Sequence, residues 1–402
     1  MSARTLAARE ALVNACICLA FAATAAAAQF GEDVAFLEKH TRVVLLTGPG
    51  GRGKVAVVPA WQGRVMTSTD GGDQGASYGW LNRALIAARK TLPHFTPYGG
   101  EDRVWLGPEG GQFSVFFAKG AAFDLDHWQT PLPLDTEPFE IVSQSHDRVA
   151  FRRRFPLVNY SGTRFEVQLD REIRLMPAAG AAQALGVPLP AGVSLVAYES
   201  VNRLTNAGKA PWTASTGLLS LWILGMYNAT PDTTIAIPIR PGPEAQLGPR
   251  VNADYFGPVP PDRLVAGEKT IFFRGDGKFR SKIGINPKRA MPVLGSYDDK
   301  AGVLTLVQYT LPSAPARYVN SQWKLQQDPF SGDVVNSYSD DGKMGAFYEL
   351  ESSSPAAALA PGAAIEHVHR TIHLRGPKTA LDRIAVAVLG VSLDRIATAL
   401  PR

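Results

Sequence analysis

Ile365-Glu366-His367-Val368-His369-Arg370-Thr371-Ile372-His373-Leu374 alternates in character at every second residue. A period of two belongs to an extended strand, whose successive side chains point to opposite faces. His367, His369 and His373 therefore share one face, and Val368, Ile372 and Leu374 the other, which is expected to face the core. Outward from this segment the same pattern recurs along most of the chain. Strands are expected at Thr41–Thr47, Lys54–Pro59, Arg64–Thr69, Ser114–Ala118, Phe139–Ser143, Val149–Phe155 and Phe165–Leu175. They continue at Leu195–Asn206, Gly217–Met226, Thr233–Ile239, Lys269–Phe273, Val303–Thr310 and Ala346–Glu351. Gly-rich turns separate them, Gly48-Pro49-Gly50-Gly51 being one hairpin connection.

Composition agrees. With Gly 38 and Pro 30 among 402 residues, turn formers make up about 17% of the chain against a usual level near 12%. That excess would interrupt long helices everywhere. A hydrophobic fraction of 45% excludes disorder, because there is ample apolar surface to offset the entropy of ordering. The expected fold is mainly β, a large antiparallel supersandwich with short terminal helices. Those helices are expected at Asp33–His40, Thr379–Leu389 and Ser392–Leu400, while Ala178–Pro190 and Pro241–Pro261 read as loops.

The first 28 residues read as a secretory signal peptide: Arg4 and Arg9, an apolar run over Ala11–Ala28, and a small-residue cleavage signal at Ala26-Ala27-Ala28. Residues 29–402 then form one expected domain, periplasmic or secreted, with helices over 379–400. Both cysteines, Cys16 and Cys18, fall in the leader, so no disulfide is expected. The net charge of +5 comes from scattered basic residues, which argues against a nucleic-acid partner. No later apolar stretch is long enough to span a bilayer, and no motif for a cofactor is present. Gly48–Lys54 lacks both the spacing and the following helix of a phosphate loop.

Two stretches carry candidate chemistry. His94-Phe95-Thr96-Pro97-Tyr98-Gly99-Gly100-Glu101-Asp102-Arg103-Val104-Trp105-Leu106-Gly107-Pro108-Glu109 sets acids, an Arg and a Trp among glycines. Carboxylates and Arg bind hydroxyls while an aromatic face stacks on sugar C–H surface. The plainer reading is ion-paired turn residues with Trp105 in the core. Trp128, beside Asp126 and His127, is a further stacking candidate. Phe347-Tyr348-Glu349-Leu350-Glu351 puts two glutamates on one face of a strand, where mutual repulsion would raise one pKa and suit it to acid–base work. A solvated outer face is the simpler alternative. The histidine row could hold a metal only with further ligands, which the sequence does not supply; a solvated or hydrogen-bonded row is the expectation.

Several of these segments together resemble the galactose mutarotase-like superfamily, the aldose 1-epimerases and their relatives. Tyr78-Gly79-Trp80-Leu81-Asn82-Arg83 looks like their Asn-Arg sugar-binding element, Tyr98-Gly99-Gly100 like their His-Gly-Gly segment, and Leu350-Glu351 like the strand bearing their general base. The strings Gly99–Gly111, Val319–Ser321 and Phe347–Ser352 are closer still to an exported bacterial branch of that presumed fold. The resemblance implies a cleft for a mono- or oligosaccharide, lined by Asn82, Arg83, Arg64, Glu101, Asp102, Arg103, Trp105, Glu109 and Trp128. It implies chemistry at or near the anomeric centre, epimerase- or glycosidase-like, with Glu351 as general base and Glu349 as the alternative. Tyr98 stands where the epimerases have their first catalytic His, and Asn206–Met226 contains no His for the second. The acid would then come from His94, Tyr98, Glu101 or Asp102. A non-catalytic glycan-binding protein and a lyase acting on a uronic-acid-containing glycan are the other readings.

Overall fold

Antiparallel pairing organises the structure, a computed structural model that describes residues 28–401. The leader expected over residues 1–28 falls almost entirely outside the described residues. Ten strands form the main sheet, in the spatial order Leu264–Ala266, Thr270–Arg274, Thr233–Pro238, Val293–Asp298, Val303–Tyr309, Ala364–Arg375, Ser194–Asn206, Arg164–Leu175, Arg148–Val158, Glu140–Gln144. Five form a second sheet: Ser281–Ile285, Val335–Ser339, Phe347–Ser353, Ser220–Asn228, Arg103–Gly107. Val44–Thr47, Lys54–Val58 and Arg64–Thr69 make a third, joined by the expected Gly-rich hairpin.

Period-two alternation sorts the side chains into layers. On one face of the main sheet, Leu304, Leu306, Ile372 and Leu374 pack under Leu381, Ile384 and Leu389 of the helix Lys378–Leu389 and Ile396 of the helix Leu393–Ala397. On its other face, Ile235, Ile271, Phe273 and Val307 meet Ile283, Val335, Tyr348 and Leu350 of the five-stranded sheet. Both faces of the central strands are thus covered. Of the two expectations for the histidine row, the solvated one fails: His367, His369 and His373 are buried between the sheets, opposite the apolar residues that the helices cover.

Each histidine is hydrogen-bonded there. Ser352 Oγ lies 2.8 Å from both His367 Nε2 and His369 Nδ1, donating to one and accepting from the other. His373 Nε2 donates to Glu101 (3.0 Å), which leaves its Nδ1 to accept from Thr305 Oγ1 (2.9 Å). No group of three or more His, Cys, Asp or Glu among the described residues could hold a metal ion.

Three further expectations are revised. Residues Ala178–Leu185, expected as loop, form a helix, since a run of alanines needs little to stay helical, and Gly186 ends it in the left-handed region at φ +68°. Ala181 and Leu185 dock it on the main sheet. Ser114–Ala118 is not a strand; only Phe117 bridges, to Trp128. The opening helix runs Phe30–Glu38 and not Asp33–His40. No helix among the described residues is long and apolar enough to cross a membrane.

The expected site residues Glu101 and Asp102 serve this architecture. Asp102 is paired with Arg171 at 2.6 Å with both side chains fully buried, and Arg171 also donates to the Asp102 carbonyl (3.0 Å) and to Asn202 (2.7 Å). Glu101 accepts from Ser68 N (2.6 Å), Ser68 Oγ (2.8 Å), Tyr198 OH (3.0 Å) and His373. Ser68 belongs to the three-stranded sheet and Tyr198, His373 and Arg171 to the main one, while Arg103 opens a strand of the five-stranded sheet.

Removing one partner from a buried pair leaves an uncompensated charge, so Arg171→Met should destabilise the protein by about 3–5 kcal/mol, read as a lowered urea midpoint. A second expectation concerns acid. Burial holds His367 down to about 3 and His369 to about 4. Unfolded histidine binds a proton near pH 6.5, so stability present above that pH should drain away as pH falls toward 4, on the order of 3 kcal/mol per histidine. Melting temperatures taken between pH 7 and 4 should fall steeply, and a His367→Asn variant should fall less steeply.

Candidate functional site

The outer face of the five-stranded sheet floors a cleft of about 500 Å³. Register decides what stands on it. Lys282 pairs with Tyr338, Tyr338 with Glu349, and Glu349 with Met226, forming one row across four strands. The next row runs Asn336, Glu351, Leu224, Arg103, and the one beyond it holds Trp222 and Trp105. Because the period is two, Tyr348, Leu350 and Ser352 point the other way, into the inter-sheet core. Loops build the walls: Leu92–Pro97 with His94, Glu109 after the first strand, and the segment that carries Leu125 and Trp128.

Both glutamates are buried, so the solvated outer face is excluded: Glu351 is fully inaccessible and Glu349 is 7% exposed. Their environments differ. Glu351 lies beneath the cleft and accepts from Trp222 Nε1 (2.8 Å) and Lys282 Nζ (3.1 Å) through the same oxygen, Oε2. Lys282 sits over the Trp222 ring at 4.6 Å. Glu349 lines the cleft and accepts from Arg103 Nη2 at 3.3 Å. Burial, then the neighbouring Glu351 carboxylate, push Glu349 up to about 8 against the pull of Arg103. A carboxylate beside it makes a second negative charge on Glu349 costly, which favours its protonated form. Glu351 Oε1 has no other partner, so it is the natural acceptor for the proton on Glu349.

Aromatic rings surround this pair. The Arg103 guanidinium lies 4.1 Å from the Trp105 ring and 4.9 Å from that of Phe95. Trp105 packs edge-on to Trp222, and Trp128 stacks on Trp323 with centroids 5.8 Å apart. Burial raises Glu109 as well, against the attraction of Lys282. His94 Nδ1 is 2.7 Å from the Trp128 carbonyl. A carbonyl only accepts, so Nδ1 carries a proton and donates.

Of the residues expected at the site, the structure brings His94, Arg103, Trp105, Glu109, Trp128 and Glu349 to one cleft, with Glu351 directly beneath. The others lie elsewhere. Tyr98 stacks on Trp61 with ring centroids 4.3 Å apart. Arg64 is buried, donating to the Gly99 carbonyl and to Gln62, both at 3.1 Å. Asn82 caps the helix Arg83–Ala88, accepting from Leu85 N at 3.1 Å. Arg83 pairs with Asp33 and stacks over Phe36, on the rim of a separate cavity of about 490 Å³ that also contains Tyr78 and His373. Glu101 and Asp102 are in the inter-sheet knot. Lys282 and Tyr338 were not singled out in the sequence. The signal for Lys282 was a lone Lys in the strand Ser281-Lys282-Ile283-Gly284-Ile285, whose other members are small or apolar.

The sheet order and cleft define a class, the large antiparallel β-sandwich with a cleft on the outer face of its smaller sheet. Solved structures are similar to this chain. The Slr1438 protein from Synechocystis sp. PCC 6803 is similar in fold, at 13% identity and a TM-score of 0.50, over 84% of this chain and 96% of that one. A galactose mutarotase-like protein from Lactobacillus casei ATCC 334 aligns at 13% identity and 0.48, over 83% and 100%. A galactose mutarotase related enzyme from Lactobacillus acidophilus aligns at 11% and 0.47, over 83% and 97%. The chain belongs to a family of unknown function, DUF6786, whose model matches residues 28–400. No curated protein matches it.

The opposed influences on Glu349 are separable. Glu351→Gln should bring its titration down toward the ordinary carboxylate range, and Arg103→Gln should drive it higher, both followed by carbon-13 NMR of labelled glutamate carboxyls.

Proposed function

We propose that the cleft binds a sugar and moves protons at or near its anomeric centre. The observation that carries this reading is the carboxyl pair Glu349–Glu351 on the floor of a tryptophan-walled cleft. Sugars are bound through aromatic faces set against their C–H surfaces and through charged groups that bind their hydroxyls. Trp323, the half-buried member of that wall, offers the first kind of contact, and Arg103, Glu109 and Lys282 the second.

Chemistry at an anomeric carbon needs a proton given to an oxygen that leaves or opens, and one taken from the hydroxyl or water opposite. Glu349, at about 8, holds its proton at neutral pH and can still release it. It is the donor, to the ring or glycosidic oxygen. The remaining charge stays on the carboxyl pair, stabilised by Lys282, Trp222 Nε1 and Arg103. His94, held by its Nδ1 on the Trp128 carbonyl and lining the same cleft, is the proton acceptor through Nε2. Glu351, expected as the base from its place in the strand, acts here through Glu349 and not on substrate. We further propose that the protein works outside the cytoplasm; the basic start, the apolar run to Ala28 and the lack of cysteine beyond Cys18 support that.

Glu349→Gln should lower turnover by at least about a hundredfold, the usual scale for a positioned proton donor, while sugar affinity changes little. Measuring turnover over a panel of reducing sugars and glycosides, alongside calorimetric binding, checks this. Unchanged turnover in the variant would remove Glu349 from the chemistry.

A further inference from the structure

The cleft is polar at its floor, and its mouth carries exposed apolar side chains beside the charged Arg280, Asp341 and Lys343. Leu92, Leu125, Phe256 and Met344 are 44%, 60%, 39% and 39% exposed, and all four line it. They come from four segments far apart in the sequence, so their meeting at one opening is not a local accident of composition. Scattered exposed apolar side chains are ordinary on a protein surface; a contiguous set rimming a pocket marks a binding site. Phe256 is also fixed in place, with the Arg280 guanidinium 3.9 Å from its ring and Tyr338 edge-on.

A free monosaccharide does not complement this arrangement. Its hydroxyls radiate from the ring, and those set against Leu92, Leu125 and Met344 would lose water without gaining a hydrogen bond, which is costly. A sugar that carries an apolar substituent complements it at both ends. The ring sits over Glu349, Arg103 and Lys282, and the substituent covers the rim. Resting on the sugar-binding reading above, we propose that the ligand is a glycoside with an apolar, ring- or chain-bearing aglycone, its sugar on the floor and its aglycone at the mouth.

The test compares three sets of probes by calorimetry on the wild-type protein. These are free glucose, galactose, mannose and xylose; the 4-nitrophenyl glycosides of the same sugars in both anomers; and 4-nitrophenol alone. Burying about two methylenes' worth of apolar surface corresponds to a tenfold gain in affinity. At least one nitrophenyl glycoside should therefore bind roughly tenfold or more tighter than both its free sugar and 4-nitrophenol. The double variant Leu125→Ser/Met344→Ser, at exposed positions where folding is not at stake, should reduce that glycoside to the affinity of its free sugar and leave the free sugar unchanged. A free sugar that binds as tightly as its nitrophenyl glycoside overturns the aglycone proposal and leaves the sugar reading intact. If 4-nitrophenol binds as tightly as the glycosides, the sugar reading itself fails, and the proposal with it. Absence of binding by every glycoside also overturns it.

Discussion

The adjacent acids Glu101 and Asp102 hold the three sheets to one another. Neither faces solvent, and their combined partners come from two sheets while their own chain runs into the third. A buried carboxylate is tolerated only where its charge is met, and each of these has its own solution. Asp102 has a guanidinium, and Glu101 has a converging set of hydroxyl, amide and imidazole donors. The strand Arg103–Gly107 starts immediately after this anchored pair, so the position of Arg103 and Trp105 in the cleft follows from it.

From there the electrostatics pass outward in steps. Lys282 reaches from the cleft to the fully buried Glu351, where a charge pair interacts more strongly than it would in solvent. Glu351 in turn holds the proton on Glu349, and Arg103, spread against two aromatic rings, limits how firmly it is held. Two residues of the same type, two apart on one strand, therefore have different roles. Depth and neighbours distinguish them.

Much of the fold was legible in the sequence, and less of the site. The long strands of the main sheet were readable because each has a core to face, as in Phe165–Leu175. The short strands that floor the cleft, Arg103–Gly107, Ser281–Ile285 and Val335–Ser339, were not. Each is five residues long and mixes characters on a face: Arg103 shares the cleft face with Trp105, and Ser337 and Ser339 share the core face with Val335, so they give no clean alternation. The pairing of Glu349 with Glu351 on one face was correctly read, because strand geometry alone fixes it. The Gly99–Asp102 run misled for the opposite reason. Acids beside glycines look the same in sequence whether the loop opens to a ligand or is clamped between sheets, and only the distant partners Arg171, Ser68, Tyr198 and His373 tell the two apart. Alternation likewise cannot distinguish a wet face from a polar interface, which is why the histidine row proved to be interior.

The site is divided between two kinds of backbone. Its charged groups ride on ladder-bonded strands, where a one-residue slip would exchange Glu349 for Tyr348 or Leu350. Its rim is carried on connecting segments that no ladder constrains, such as those of Leu92, Leu125 and Met344. Insertions and exchanges are tolerated in such segments and not in ladders. The rim can therefore be exchanged while the charged floor is kept, and loop exchange there is the practical route to redirecting the molecule by design.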